Sequence, residues 1–273
     1  MAIQLSDHFT YGRLLRFTLP SVVMMIFTSI YSVVDGIFVS NFAGKVPFAA
    51  INLIMPYLMA TGVLGFMVGT GGTALISMTL GMGDRKKANE LFSMLTLVCI
   101  IGGVVLTVLS IVFMRPVAIA MGATGAMLED CVTYGNIVQI ALTAYIIQYA
   151  FQSFCVTAEV PGLSLKMTVA SGVCNIVLDA LFVAVFRWGL VGAAVATAVA
   201  QIFGAAIPLV YFLRPNKSLL RLGKCSFDGK ALLRTCTNGI SELMSNLSMS
   251  LVSMLYNIQL IRYAERTALR PTA

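Results

Sequence analysis

Seven continuous apolar runs dominate the chain, at approximately Phe17–Asn41, Val46–Gly81, Leu91–Met114, Cys131–Thr157, Met167–Phe186, Leu190–Leu213 and Gly239–Ile261. A helix needs about 20 apolar residues to cross a hydrocarbon core of about 30 Å, and every run is long enough. Barrel strands would alternate apolar and polar over about ten residues, which these runs do not. The pattern predicts an all-α fold, a polytopic membrane helical bundle. The second run is too long for one untilted helix and carries Pro56, Gly62, Gly65, Gly69, Gly71 and Gly72. It predicts a kinked or partly irregular span, tolerated only where protein or a water-filled cavity covers the backbone.

Composition strengthens this reading: 59% of residues are hydrophobic and 11% charged, far from the soluble average. Short cytoplasmic loops carry the excess of Lys and Arg. With the N-terminus inside, Arg13, Arg16, Arg85, Lys86, Lys87, Lys166, Arg214, Lys217, Arg221, Lys224, Lys230 and Arg234 are cytoplasmic, and only Lys45, Arg115 and Arg187 face outward among the first six spans. A multi-pass protein of the cell membrane with a cytoplasmic N-terminus is expected. The net charge of +7 is then a topology signal, so the expected partner is the lipid bilayer and no nucleic acid. Arg13 and Arg16 precede a full-length span with no small-residue cleavage site, so the first span is expected to be retained rather than removed as a signal peptide. The six cysteines lack C-x-x-C or metal spacing and read as small buried hydrophobes.

Two aspartates interrupt the runs: Asp35 in the first, and Asp179 in the fifth, one helical turn after Asn175. A carboxylate is costly in a bilayer, so such a residue is a functional candidate. At 1.5 Å per residue, Asp179 lies about 18 Å and Asn175 about 12 Å from the inner end of the fifth span. Thr197 lies about 11 Å below the outer end of the sixth, level with Asp179 in a core of about 30 Å. Asn175 and Asp179 share a helix face, and the fifth and sixth spans are joined by only a few residues around Trp188. Asp35 sits about 27 Å along its span, where it either joins the cluster or ends its helix in the outer headgroups. Desolvation disfavours a charged carboxylate, so these groups suit proton uptake on one side and release on the other. Asp, Asn and Thr oxygens would equally suit a hard cation such as sodium. No cofactor and no metal beyond such a sodium ion is expected.

Several enzyme classes fail on their residues. Gly81-Met82-Gly83-Asp84 matches the G-x-G-D string of aspartyl intramembrane proteases, but Asp84 abuts Arg85, Lys86 and Lys87, no Tyr-Asp pair supplies a second carboxylate, and the string reads as a loop turn. A serine-type membrane protease needs a histidine base, and the single histidine, His8, precedes the first span. A retinal protein needs a Schiff-base lysine, absent between Gly239 and Ile261. No enzyme is expected.

Five stretches in order carry a resemblance to a known family: LRFTLPSVVMMIFTSIYSVVDGIFVSNFAG, GTGGTALISMTLGMGDRKKANELFS from Gly69 to Ser93, PGLSLKM, CNIVLDALF and WGLVGAAVATAVAQ. Together they resemble the multidrug and toxic compound extrusion (MATE) transporters over residues 14 to 264. The resemblance implies twelve helices in two six-helix lobes with substrate passing between them. It also implies a cation or proton site formed by an aspartate of the first helix, an Asn-x-x-x-Asp pair of the fifth and a threonine of the sixth. Those positions are Asp35, Asn175, Asp179 and Thr197 in this sequence. The expected activity is cation-coupled (proton or sodium) antiport, exporting drugs or other lipophilic, often cationic, compounds. A lipid-linked sugar flippase of the same superfamily is the alternative, although such proteins tend to line their cavity with several cations and the spans here hold almost none; a non-functional remnant is the third reading.

This plan implies an N-terminal six-helix lobe at 1–213, a cytoplasmic inter-lobe loop at 214–237, the first helix of an incomplete second lobe at 238–261, and an aberrant tail at 262–273. The tail predicts a truncated or frame-shifted product. One repeat rocks against another in alternating access, so activity would require a separate second-lobe polypeptide. Gln139, Gln148, Gln152 and Gln201 either line a substrate cavity or make interhelical hydrogen bonds. Glu159 and Glu242 close and open their spans near the inner face.

Overall fold

The computed structural model describes residues 11–215, 218–223 and 225–268. Lys217, Lys224 and residues 269–273 of the expected tail lie outside the described residues, as do His8 and the side chains of Arg13, Arg16 and everything beyond Leu260. Every regular element among the described residues is helical: α1 (Tyr11–Phe38), α2 (Lys45–Thr61), α3 (Val63–Gly81), α4 (Arg85–Ala120), α5 (Gly125–Ile140), α6 (Leu142–Thr157), α7 (Pro161–Asp179), α8 (Gly189–Leu213) and α9 (Gly229–Ala268). Two π-helical turns, Val39–Ala43 and Ala180–Val185, extend α1 and α7.

Five stretches are long and apolar enough to cross a membrane, at Thr18–Phe42, Lys45–Gly81, Arg85–Ala120, Pro161–Val185 and Gly189–Leu213. The pair α5 and α6 forms a sixth, bent by 56° at Ala141. The break within the second span falls at Gly62, between α2 and α3. The bend at Ala141 is new, because no glycine or proline marks it.

The expected seventh span is corrected in two ways. Its helix starts at Gly229, inside the expected inter-lobe loop, because the Asp228 carboxylate accepts hydrogen bonds from the Lys230 and Ala231 amides (3.0 and 3.1 Å) and so satisfies the orphan donors of a helix N-terminus. It is also less apolar than the other spans, interrupted by Ser241, Glu242, Ser245, Asn246, Ser248, Ser250, Ser253 and Asn257. Glu242 therefore lies about 20 Å into α9 rather than at its start, and accepts a hydrogen bond from Asn246 Nδ2 (3.1 Å).

At the end of the molecule rich in Lys and Arg, hereafter the basic end, Gly83 takes a positive φ of 82°. The Asp84 carboxylate caps α4 by accepting from the Lys87 amide (3.0 Å), which makes the G-x-G-D string a turn. The segment between α8 and α9 is strapped along one face of α4. Asn89 Oδ1 accepts from the Arg221 amide (2.9 Å), Ser93 Oγ from the Gly223 amide (3.0 Å), and Met94 Sδ from the Asp228 amide (3.2 Å).

The buried apolar side chains form two separate cores. One lies toward the basic end and includes Val68, Ile76, Phe92, Leu95, Ile146, Phe151, Phe154 and Phe212; rings of Phe92, Phe151, Phe154 and Phe212 meet at centroid distances of 5.1 to 5.9 Å. The other lies at the far end and includes Ile54, Leu58, Met114, Ala118, Tyr134, Val183 and Ala194. α2 packs on α5 and α3 on α6, while α7 lies between α1 and α8.

Candidate cation site and cavity

The site is assembled from α1, α5, α7 and α8 in the far half of the bundle. Asn175 and Asp179 are buried at 4% and 0% exposure on the face of α7 turned inward, and Gly172, one turn earlier on α7, admits the ring of Phe27 from α1. That approach brings Asp35 of α1 to Asp179, with the two carboxyl groups within hydrogen-bonding reach of each other. Tyr134 of α5, fully buried, neighbours Thr197 of α8 and sits close enough to interact with both carboxyls. Asp35, Asn175, Asp179 and Thr197 thus belong to one cluster. Asp35 lies within the last turn of α1, and the helical backbone continues past it into the first π turn.

The cluster holds more acceptors than donors. Both carboxylate oxygens of Asp179 and Oδ1 of Asp35 are buried with no hydrogen-bond donor among the described residues, and Asn175 Nδ2 has no acceptor. Unsatisfied polar atoms at this depth cost free energy. A proton on one carboxyl would donate to the other, and a cation would be ligated by both.

Beside the cluster lies a cavity of about 170 Å³ lined by Tyr31, Asp35, Tyr134, Tyr145, Tyr149, Asn175 and Thr197 among others. Gln139, Gln148, Gln152 and Gln201 all line it. Gln139 also makes an interhelical bond, its Nε2 donating to Thr61 Oγ1 (2.8 Å), whereas Gln201 Oε1 is buried without a partner among the described residues. Asp179 does not line the cavity and adjoins it through Asp35. No Lys or Arg is among the lining residues. Sequence reasoning missed the tyrosines. Their signal was a phenol inside an apolar span, whose hydroxyl must find a partner when buried. Tyr145 and Tyr149 lie side by side, with ring centroids 4.6 Å apart.

The MatE family model matches residues 20–181 of this chain. The chain belongs to the MATE family. The multidrug export protein MepA of Staphylococcus saprophyticus subsp. saprophyticus is 26% identical over 248 residues, covering 86% of this chain and 54% of that protein. MepA of Staphylococcus aureus (strain MW2) is 24% identical over 254 residues, covering 93% and 56%. The chain spans about half the length of the curated relatives it matches. Among solved structures, an inward-facing multidrug resistance MATE family transporter of the MOP superfamily superposes with a TM-score of 0.79 at 22% identity, covering 84% of this chain and 52% of that one. A MOP superfamily transporter from Pyrococcus furiosus, described as having a binding pocket of reversed polarity, gives 0.82 at 21% identity, covering 93% and 59%. These likenesses show that the helical bundle is the MATE lobe fold.

Proposed function

We propose that this chain provides the ion-binding lobe of a cation-coupled exporter of drugs or other lipophilic, often cationic, compounds, working against a second MATE lobe. The observation that carries this reading is the facing pair Asp35 and Asp179, whose buried oxygens lack donors, set against a cavity. A proton or a sodium ion would satisfy these oxygens, and its arrival or departure would change how firmly α1 is held against α7. Substrate would engage the same cavity, where tyrosine faces attract cations and the glutamine amides supply adaptable hydrogen bonds. The multidrug export named for the MepA relatives supports the substrate class. A lipid-linked sugar flippase would need cations for phosphates, and the lining residues include none, so export is favoured. The cell membrane with the N-terminus cytoplasmic remains the orientation that the distribution of Lys and Arg supports.

The test is efflux from cells or proteoliposomes in which this chain is combined with a second MATE lobe. Asp179→Asn is expected to reduce ion-driven efflux to the level of empty vesicles while insertion into the membrane is unchanged. Undiminished efflux in that variant would remove the proposed role of the pair.

A further inference from the structure

The two hydrophobic cores do not grade into each other; they part within single spans. Along the second span Leu58 belongs to the far core and Val68 to the basic-end core, and along the bent span Val138 belongs to the far core and Leu142 to the other. Both partings coincide with breaks in the backbone ladder. The Gly62 amide bonds the Met59 carbonyl (3.1 Å) and the Ala141 amide bonds the Val138 carbonyl (3.0 Å), three residues back instead of four. A tightened turn inside a helical span often marks a hinge.

The two breaks are neighbours. Tyr145 of α6 packs where a side chain at position 62 would stand. Gln139, two residues before the bend, donates to Thr61, one residue before the other break (2.8 Å). The Thr61 hydroxyl in turn donates to the Leu58 carbonyl (2.8 Å), the group that a regular helix would pair with the Gly62 amide.

Continuous α4 changes allegiance at the same level. The Ser110 carbonyl accepts from the Tyr57 hydroxyl of α2 (3.0 Å), whereas Thr107 faces Thr143 of α6 (3.4 Å between hydroxyls) and Gly103 lies against the Thr143 backbone. Between them Ser110 Oγ donates back to the Thr107 carbonyl (2.9 Å), a pattern that bends helices. The turn of α4 from 107 to 110 is therefore the third strand of one transverse plane.

We propose that the lobe flexes as two bodies about a hinge at Gly62, Ala141 and the 107–110 turn of α4, widening and narrowing the cavity between them, with the Gln139–Thr61 hydrogen bond as latch. The cavity straddles the plane: Leu58, Tyr134 and Val138 line it from the far body, and Tyr145, Gln148 and Tyr149 from the other. Flexing would move Tyr134 and its neighbour Thr197 relative to the wall formed by Tyr145 and Tyr149. This inference does not depend on the coupling ion or on transport.

The experiment uses the full chain in lipid nanodiscs with spin labels carried by unnatural amino acids at exposed positions. One pair, Thr133 and Met78, crosses the hinge; Thr133 with Val112 reports the far body alone, and Met78 with Leu97 the other body alone. The crossing pair is expected to show two distance populations and the other two pairs one narrow distance each. Gln139→Leu should shift the crossing pair toward its longer distance by about fivefold, the factor equivalent to a net hydrogen bond of about 1 kcal/mol. Thr61→Val, which removes the acceptor instead of the donor, should do the same and serves if Gln139→Leu fails to fold. A single narrow crossing distance that neither substitution moves would overturn the proposal. So would two populations at all three pairs, which would mean general looseness rather than a hinge.

Discussion

Helices α1 and α3 cross the same lobe but are held in opposite ways. α3 is clamped between backbones: Gly65 lies against the Ile146 backbone, Gly69 against Ala150, Gly71 against Thr235, and Gly239 of α9 against Met67. Small residues that let backbones touch are how helices associate in lipid, where apolar area supplies little drive. α1 is held on one side, mainly by α7, and leaves Met25, Ile26, Ile30, Val33 and Ile37 more than half exposed. Its contacts to α7 are made by long side chains, which can move. Asp35 therefore rides on the helix held from one side and its partner Asp179 on one packed between α1 and α8. A proton or cation shared by the pair would act on the element that is free to respond, while α3 supplies the frame.

The comparison breaks first at Gly71. A methyl there would meet the Thr235 carbonyl and the Gly239 amide, which are backbone atoms and cannot swing aside. Gly71→Val should therefore cost more than the roughly 1–3 kcal/mol typical of overpacking, by forcing α9 off α3. The measurement is thermal unfolding of the purified chain in detergent, with the yield of monodisperse protein alongside. A midpoint unchanged from the parent would show that α9 is not clamped, and the contrast with α1 would fall.

How much of this was legible in the sequence depends on which signal each feature leaves. Helical spans were legible because lipid imposes length and apolarity, and the Gly62 break was legible because glycine and proline crowd that run. The bend at Ala141 was not: Ile140-Ala141-Leu142 reads as uninterrupted span, and the neighbours beside the bend, Gly62 against Tyr145 and Thr61 against Gln139, come from a helix distant in the chain. The π turns after Phe38 and Asp179 change no composition. Depth counted along separate helix axes put Asp35 nearer the surface than Asp179, because such counting cannot compare helices that differ in tilt and winding. Asn175, Asp179 and Thr197 were easier, since a short connection at Trp188 forces α7 and α8 to be neighbours. The start of α9 is the least legible boundary, because Lys230 and Arg234 read as loop while the cap that opens the helix is the single residue Asp228.

A smaller effect is expected at Gly172, where α7 meets α1. A methyl there would approach the ring edge of Phe27, a side chain that can rotate away, so Gly172→Val should cost about 1 kcal/mol and spread α1 from α7 without unfolding the frame. Faster proteolytic cleavage in α1 at unchanged global unfolding temperature is the expected signature. An equal loss at Gly172 and Gly71 would mean that both helices are clamped alike.

The finest probe is Ser164 of α7, whose hydroxyl donates to Met24 Sδ of α1 at 3.6 Å. Thioether sulfur is a weak acceptor, so Ser164→Ala should remove no more than about 0.5 kcal/mol, the low end of a net hydrogen bond, well below the effect at Gly172. Amide hydrogen exchange in the first half of α1 resolves so small a change, and a modest acceleration confined to α1 is expected. Acceleration in α3 as well would show that the two helices share one cooperative unit, and that the loosely held α1 cannot move independently of the frame.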